Sequence, residues 1–376
     1  MQMSKDLAIV AITKGGMEIA RRLRDHFSEA DFLISEKFAA AAGEGVIPLK
    51  GPLSKNVGEF FHAYDKIVFL VSLGAVVRLI APHLKDKHVD PAVLVVDDRA
   101  QFVISVLSGH VGGANAFTET VAKALGAAPV ITTASDVGKT IPVDILGWEL
   151  GWILEGEEHV TRVSASVVNE EPVAFLQETG EKSWWTRPTP LPPNIECFTS
   201  LEALMAQEIG RPPVAKEGFG KRYGAYLIVT DRSRSSFPGQ MQDRTVLYRP
   251  KSLDLGMGCD RGTPIEEIEE LIGTTLEKNG LSMASVRALA TLDQKSDEPA
   301  FLQLCEKNGW KLVAFSKEEL QQVEGILTPS AVVEKWVGTP SVSEAAALRS
   351  SGASALLIPK VKAKRATLAV ARVVFS

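Results

Sequence analysis

Short apolar, β-branched runs alternate with segments of helical period from the first residues onward. Leu7 to Ile12 predicts a buried strand and Thr13-Lys14-Gly15-Gly16 a turn. Met17 to Phe27 predicts a helix carrying Ile19, Ala20, Leu23 and Phe27 on one face. Phe32 to Ser35 reads as the next strand, Val57 to Tyr64 as a helix, and Lys66 to Val71 as the strongest strand of this region. A second turn, Ser72-Leu73-Gly74, opens a helix reaching Leu84, and strands Val93 to Val96 and Phe102 to Val106 follow, joined by Asp97-Asp98-Arg99. Continuous rather than alternating apolar runs imply strands covered on both faces, and the β-α alternation implies a mostly parallel sheet.

The stretch from Leu107 to Asp136 runs strand, glycine-rich loop, helix, and strand Pro129 to Thr132, with Asn115 as the expected N-cap and Gly126 as the C-terminal stop. From residue 138 to 252 the periodicity weakens around four tryptophans and the proline-rich TRPTPLPPN, leaving Ala225 to Val229 and Thr245 to Tyr248 as the legible strands. Regularity returns at Leu253-Asp254-Leu255-Gly256, which enters a glycine-rich turn. Thr263-Pro264-Ile265-Glu266 has the pattern of a capping box and predicts a helix from 263; Ser341-Val342-Ser343-Glu344 has it again. Strands are expected at Val286 to Thr291, Lys311 to Phe315, Ala355 to Ile358 and Thr367 to Val373, and helices at Ser296 to Asn308 and from Ser341 to Gly352. The expected fold class is α/β: an N-terminal, mostly parallel sheet domain (1–137), a smaller central α+β region (138–252) and a separate C-terminal α/β domain (253–376).

Composition narrows the function classes. At 376 residues and 45% hydrophobic content the chain is an ordinary globular protein of two or three domains. Its formal charge of −5 gives no global field for nucleic acid. Cys197, Cys259 and Cys305 are far apart and form no C-x-x-C pair, which argues against a disulfide framework or structural zinc and fits a reducing cytoplasm. The N-terminal apolar run is too short for a signal h-region or a membrane span, so no membrane association is expected.

Candidate chemistry gathers at two corners. In Ser108-Gly109-His110-Val111-Gly112-Gly113-Ala114-Asn115, glycines at a helix start allow close approach of an anion or oxyanion, and His110 has the pKa range for general acid or base work. The plainer alternative is a tight turn in which Ser108 and His110 only cap backbone groups. In Gly256-Met257-Gly258-Cys259-Asp260-Arg261-Gly262-Thr263, Arg261 stands where a dinucleotide fingerprint needs a third glycine; it suits a substrate carboxylate or an ion pair with Glu266 and Glu267. Lys295 and Glu298, and the basic run Lys360 to Arg365, suit either an anionic ligand or a solvated surface. All six histidines precede residue 160, and no H-E-x-x-H, Walker A or G-x-S-x-G pattern occurs.

Taken together, SLGAVVRLIAPHLKDKHVDPAVLVVDD (72–98), SGHVGGANAFTETVAKALGAAPVITTASD (108–136), GMGCDRGTPIEEIEE (256–270), TLDQKSDE (291–298), VGTPSVSEAAAL and GASALLIPKVKAKRATLAVA resemble the cobalt-precorrin-5A hydrolase family of anaerobic cobalamin synthesis. The resemblance covers residues 45–137 and 253–376, and nothing is carried over to the middle. It implies an enzyme that opens the δ-lactone of cobalt-precorrin-5A and releases acetaldehyde, giving cobalt-precorrin-5B. It also implies no cofactor and no metal site, cobalt arriving inside the substrate. His110, Ser108 and Asn115 are then the catalytic candidates, with Gly112 and Gly113 as oxyanion donors. Substrate-binding candidates are Ser72, Gly74 and Arg78 in the N-terminal domain and Gly256, Gly258, Arg261, Gly262, Thr263, Lys295, Glu298 and Lys360 in the C-terminal domain. Lys14, Lys362, Lys364 and Arg365 add positive charge for a polycarboxylate, expected to lie in a cleft between the outer domains. The expected partner is this tetrapyrrole, with transient contact to neighbouring pathway enzymes. The rival readings are a non-catalytic tetrapyrrole carrier and a nucleotide-dependent α/β enzyme.

Overall fold

The computed structural model describes residues 5–86, 88–209, 223–329 and 341–375, which form two compact units, 1–145 and 146–376. In the first unit, β1 (Lys5–Ala11), β2 (Asp31–Ser35), β3 (Val46–Leu49), β4 (Tyr64–Leu70), β5 (Ala92–Val96), β6 (Phe102–Leu107) and β7 (Ala128–Val130) make one sheet ordered β3-β2-β1-β4-β5-β6-β7. Helices α1 (Lys14–Arg24), α2 (Glu36–Ala42), α3 (Leu53–Phe61), α4 (Leu73–Ile80) and α5 (Ala114–Leu125) follow their strands, and the short α6 (Ala134–Val137) follows β7. Alternate residues of β1 enter different cores, Ile9 and Ala11 on one face and Ala8 and Val10 on the other. Burial on both faces is why the run carries no polar alternation. The expected Thr13–Gly16 turn is already the first turn of α1, because Thr13 Oγ1 accepts the Gly16 N–H at 3.0 Å and caps the helix earlier than the apolar period shows.

One reversal decides where the candidate residues go. β1, β4 and β5 are parallel, but β6 pairs antiparallel with β5. The loop after Leu107 therefore leaves the sheet at the end where β4 and β5 begin. Lys14, Ser72, Gly74 and Arg78, which follow β1 and β4, sit at the other end, roughly 20 Å away by strand rise.

The second unit holds two further sheets. β8 (Ile153–Glu155), β9 (Val173–Gln177), β10 (Ile195–Phe198), β11 (Ala225–Val229) and β12 (Thr245–Arg249) are ordered β10-β9-β11-β12-β8, with β8 alone antiparallel. β13 (Leu253–Cys259), β14 (Val286–Leu292), β15 (Lys311–Phe315), β16 (Ile358–Lys362) and β17 (Ala366–Arg372) are ordered β15-β14-β13-β17-β16. Fully buried Asp231, just after β11, binds Arg372 of β17 through both oxygens at 2.7 and 2.8 Å and ties the two sheets together.

Four local expectations are corrected here. The glycine-rich turn expected at Gly256 is strand: β13 runs to Cys259, and a Cβ on Gly256 would lie 1.9 Å from the Ser343 carbonyl oxygen of the helix Val342–Ser351. The glycine lets that helix press onto β13. Neither expected capping box forms: Thr263 Oγ1 donates to the Asp260 carbonyl (2.8 Å), and the helix starts at Ile265. Glu344 is fully buried and accepts from the Leu327, Thr328 and Lys360 N–H groups instead of capping its own helix. Ser296 donates to the Asp293 carbonyl (2.7 Å), and the following helix starts at Pro299. Residues Val337 to Pro340 of the VGTPSVSEAAAL stretch lie outside the described residues. No helix among the described residues is long and apolar enough to cross a membrane.

Candidate active site

β6 ends at Leu107, and the chain must turn into α5 within six residues. Ser108 adopts a positive φ of 55°, a position of strain for a non-glycine residue. It is held there because its hydroxyl donates to the Asp90 carbonyl (2.9 Å) and its carbonyl accepts the Ala114 N–H (3.1 Å). Gly112 packs against it so closely that a Cβ would lie 2.4 Å from Ser108 Cβ. Gly113, at φ 78°, occupies the N-cap position expected for Asn115.

Asn115 lies inside the first turn and works through its side chain. Its Oδ1 accepts from Ser105 Oγ (2.7 Å), while Nδ2 donates to Thr133 Oγ1 (2.9 Å) and Asp136 Oδ2 (2.7 Å). A Cβ on Gly109 would meet Asn115 Oδ1 at 2.8 Å, so this glycine makes room for the amide. The Asp136 carboxylate, fixed by Asn115, accepts from His110 Nε2 at 3.1 Å, and Asp144 accepts from Nδ1 at 2.8 Å. Ser135 Oγ lies 3.2 Å from the same Nε2.

Clamped this way, His110 rises from its ordinary 6.5 to about 9: the bonds to Asp136 and then Asp144 raise it, and burial opposes them. The ring is an imidazolium at neutral pH, with each N–H held by a carboxylate. The helix N-terminus is also less open than expected. Gly113 N–H donates to the His110 carbonyl (2.8 Å), and Ala114 and Asn115 N–H donate back to Ser108 and Gly109. Among the described residues Gly112 N–H has no acceptor.

The sequence reading did not single out Asp136, Ser135 or Asp144. A usable signal existed for the first two: β6 and β7 are parallel neighbours joined by one helix, so the residues after both strands emerge at one end. Asp144 carries no comparable mark.

The structure gathers Arg261, Gly262, Thr263, Lys295 and Glu298 at the carboxyl ends of β13 and β14. Gly262 N–H donates to Glu298 Oε1 (2.9 Å), and Glu298 is 1% exposed. Its cations are matched by acids: Arg261 binds Asp297 at 2.5 Å, and Lys295 stands 4.0 Å from Glu298. Arg365 binds Glu267 rather than a neighbour in the basic run (3.0 Å). Cys259 is an inert thiol, pushed up to about 11 chiefly by burial. Lys360 is turned inward, its ammonium donating to the Thr328 carbonyl and to Ser341 Oγ. Gly258 lies within β13, and Arg78 donates to Gly74 of its own helix (2.8 Å), with Ser72 exposed at its start.

Comparison with known proteins gives the same reading over a much longer span. Three family models match consecutive segments: cobalamin synthesis G N-terminal over residues 55–136, cobalamin biosynthesis central region over 141–250, and cobalamin synthesis G C-terminus over 253–371. A cobalt-precorrin-5A hydrolase of Priestia megaterium is 46% identical, covering 97% of this chain and 94% of that protein. The chain belongs to the cobalt-precorrin-5A hydrolase family. A Salmonella typhimurium member of the family is 31% identical over 91% of both chains. A crystal structure of a cobalamin biosynthesis protein G homolog from Sulfolobus solfataricus aligns at 18% identity and a TM-score of 0.35, covering 99% of this chain and 98% of that one. The family match also extends across the middle third, where the sequence motifs were silent.

Proposed function

We propose that this enzyme opens the δ-lactone of cobalt-precorrin-5A and releases the two-carbon fragment as acetaldehyde, giving cobalt-precorrin-5B. The observation that carries the mechanism is the His110 ring held at its two nitrogens by Asp136 and Asp144. Lactone opening leaves negative charge on the departing ring oxygen, and an imidazole fixed at both nitrogens passes a proton to it at Nε2 without reorienting. The Gly112 N–H is the donor on this loop for the carbonyl oxygen. Fragmentation to acetaldehyde follows from the opened alcohol, with the electron-poor macrocycle accepting the electrons. Cobalt belongs to the substrate, so the reading needs no resident cofactor. A cytoplasmic location and passing contact with neighbouring pathway enzymes go with it.

The test is incubation of the purified protein with cobalt-precorrin-5A, followed by acetaldehyde assay and pigment mass. Equimolar acetaldehyde is expected from wild type, with a loss of about 10²–10⁴-fold in His110→Gln. Near-native release by that variant removes the imidazole from the chemistry.

A further inference from the structure

The family reaction needs an oxygen nucleophile at the lactone carbonyl, and the cluster contains a hydroxyl with no role assigned above. We propose that Ser135 is that nucleophile, with His110 taking its proton and Asp144 holding the ring; this rests on the lactone-hydrolase reading. The geometry is that of a serine, imidazole and carboxylate in line: Ser135 Oγ is 3.2 Å from Nε2, and Asp144 Oδ1 is 2.8 Å from Nδ1 across the ring. Nucleophile, base and orienting acid in this order are what acyl transfer through a serine requires, whatever their order in the chain.

The surroundings hold Ser135 in place. It is 6% exposed, its carbonyl accepts the Thr140 N–H (2.9 Å), and the N–H groups of Asp136 and Val137, the two residues after it, both return to the Thr133 carbonyl (3.0 Å each). The charged groups facing the ring are Asp136 from α6 and Asp144 from the segment after it, while α5 presents the neutral Asn115.

The step balances without an outside reagent. Ser135 Oγ bonds to the lactone carbonyl carbon as its proton passes to Nε2; the bond to the ring oxygen breaks, and that oxygen takes the proton from Nε2. An ester on Ser135 results. Water then attacks this ester, gives a proton to Nε2, and the proton returns to Ser135 Oγ as the free carboxyl group leaves.

Asp136 has a distinct part in this scheme. It competes with Ser135 for Nε2 and keeps the resting ring protonated, so only about 1% of His110 is neutral at pH 7 when its value is about 9. Acylation should therefore rise about tenfold per pH unit toward pH 9. Asp136→Asn, which withdraws one of the two acids, should speed acylation at pH 7 by about tenfold for each unit the ring falls.

The experiment is single-turnover rapid quench with cobalt-precorrin-5A from pH 6 to 9.5, with protein and peptide masses recorded. Ser135→Ala is expected to lose about 10³-fold or more while NMR shows His110 still titrating near its wild-type value, which separates a lost nucleophile from a damaged fold. Ser135→Cys should leave a thioester adduct on the peptide containing residue 135. Turnover by Ser135→Ala within tenfold of wild type, or a wild-type rate that falls as pH rises to 9, overturns the proposal. Those results leave the hydrolase reading standing if acetaldehyde still appears; absence of acetaldehyde from wild type at every pH removes the hydrolase reading instead.

Discussion

The corner after β6 and the corner at the end of β13 are spelled alike, with closely spaced glycines, one titratable or cationic residue, and a helix start. Their structures differ in what the glycines admit. Gly109 and Gly112 make room for side chains of their own loop and helix, so that Ser108 and Asn115 tuck in and His110 is directed onto two carboxylates. Gly256 makes room for the backbone of a distant helix. The charges differ too. At His110 two acids crowd one ring and raise its proton affinity, whereas at Arg261 and Lys295 acids stand against both cations. Glycine spacing therefore reports close approach, and the fold decides what approaches. Only the first corner holds a titratable ring whose protonation two facing acids control.

The largest effect that would break this contrast is on turnover. Asp144→Asn replaces the carboxylate that fixes the Nδ1–H of His110 with a neutral amide that can turn its NH₂ to the ring, and acetaldehyde release is expected to fall about 10²–10⁴-fold. Arg261→Ala, at a half-exposed residue paired with an exposed acid, is expected to stay within about tenfold of wild-type kcat and to act on KM. Steady-state kinetics on both variants decides it; the opposite ranking would move the chemistry to the C-terminal corner.

Next in size is a stability difference inside the C-terminal corner itself. Gly256→Ala forces a Cβ against the Ser343 carbonyl oxygen and the Ala347 nitrogen, at 1.9 and 2.5 Å. Those are backbone atoms of one helix, so the helix must shift, at about 3 kcal/mol or more. Gly262→Ala meets no atom within 4 Å and carries only the strain of φ 69°, about 1 kcal/mol. Denaturant melts of the two variants should differ by about 2 kcal/mol; equal midpoints would show that Gly256 is not a packing glycine.

What the sequence made legible follows from where physics is local. β1, β4, β5, β11 and β14 were readable because burial on both faces leaves an unbroken apolar run. The stops at Gly126, Gly309 and Gly352 were readable because each takes a left-handed C-terminal position. Caps were misread wherever a distant group claimed the side chain, as with Glu344, whose donors lie 16 and 17 residues away. β9 and β10 went unseen among weakly periodic residues. His110 was found as a titratable ring in a glycine loop, but its two acids come from 26 and 34 residues onward. No spacing rule within one element links them. The separation of Ser72 and Arg78 from His110 was hidden in the β5–β6 reversal, which sequence order alone does not display.

The smallest effect tests the same contrast through pH. His110 holds its proton in the folded protein up to about 9 but only to 6.5 when unfolded. Between those values the folded state binds the extra proton, so its stability falls as pH rises. The contribution is complete below 6.5, declines through the window and is gone above 9. The full shift corresponds to about 3 kcal/mol, and partial exposure of the clamp, with Asp136 and Asp144 a fifth to a quarter exposed, reduces this to about 2. The same window leaves Cys259 of the C-terminal corner untouched, since it titrates at about 11. Urea unfolding of wild type and His110→Gln should thus show a gap that closes by about 2 kcal/mol between pH 6 and 9.5. Arg261→Ala should differ from wild type by a constant amount over that range, because the bond to Asp297 raises its guanidinium further and it stays charged throughout. A pH-independent gap for His110→Gln would mean that the two aspartates do not share a proton-bearing ring, and the distinction between the corners would rest on turnover alone.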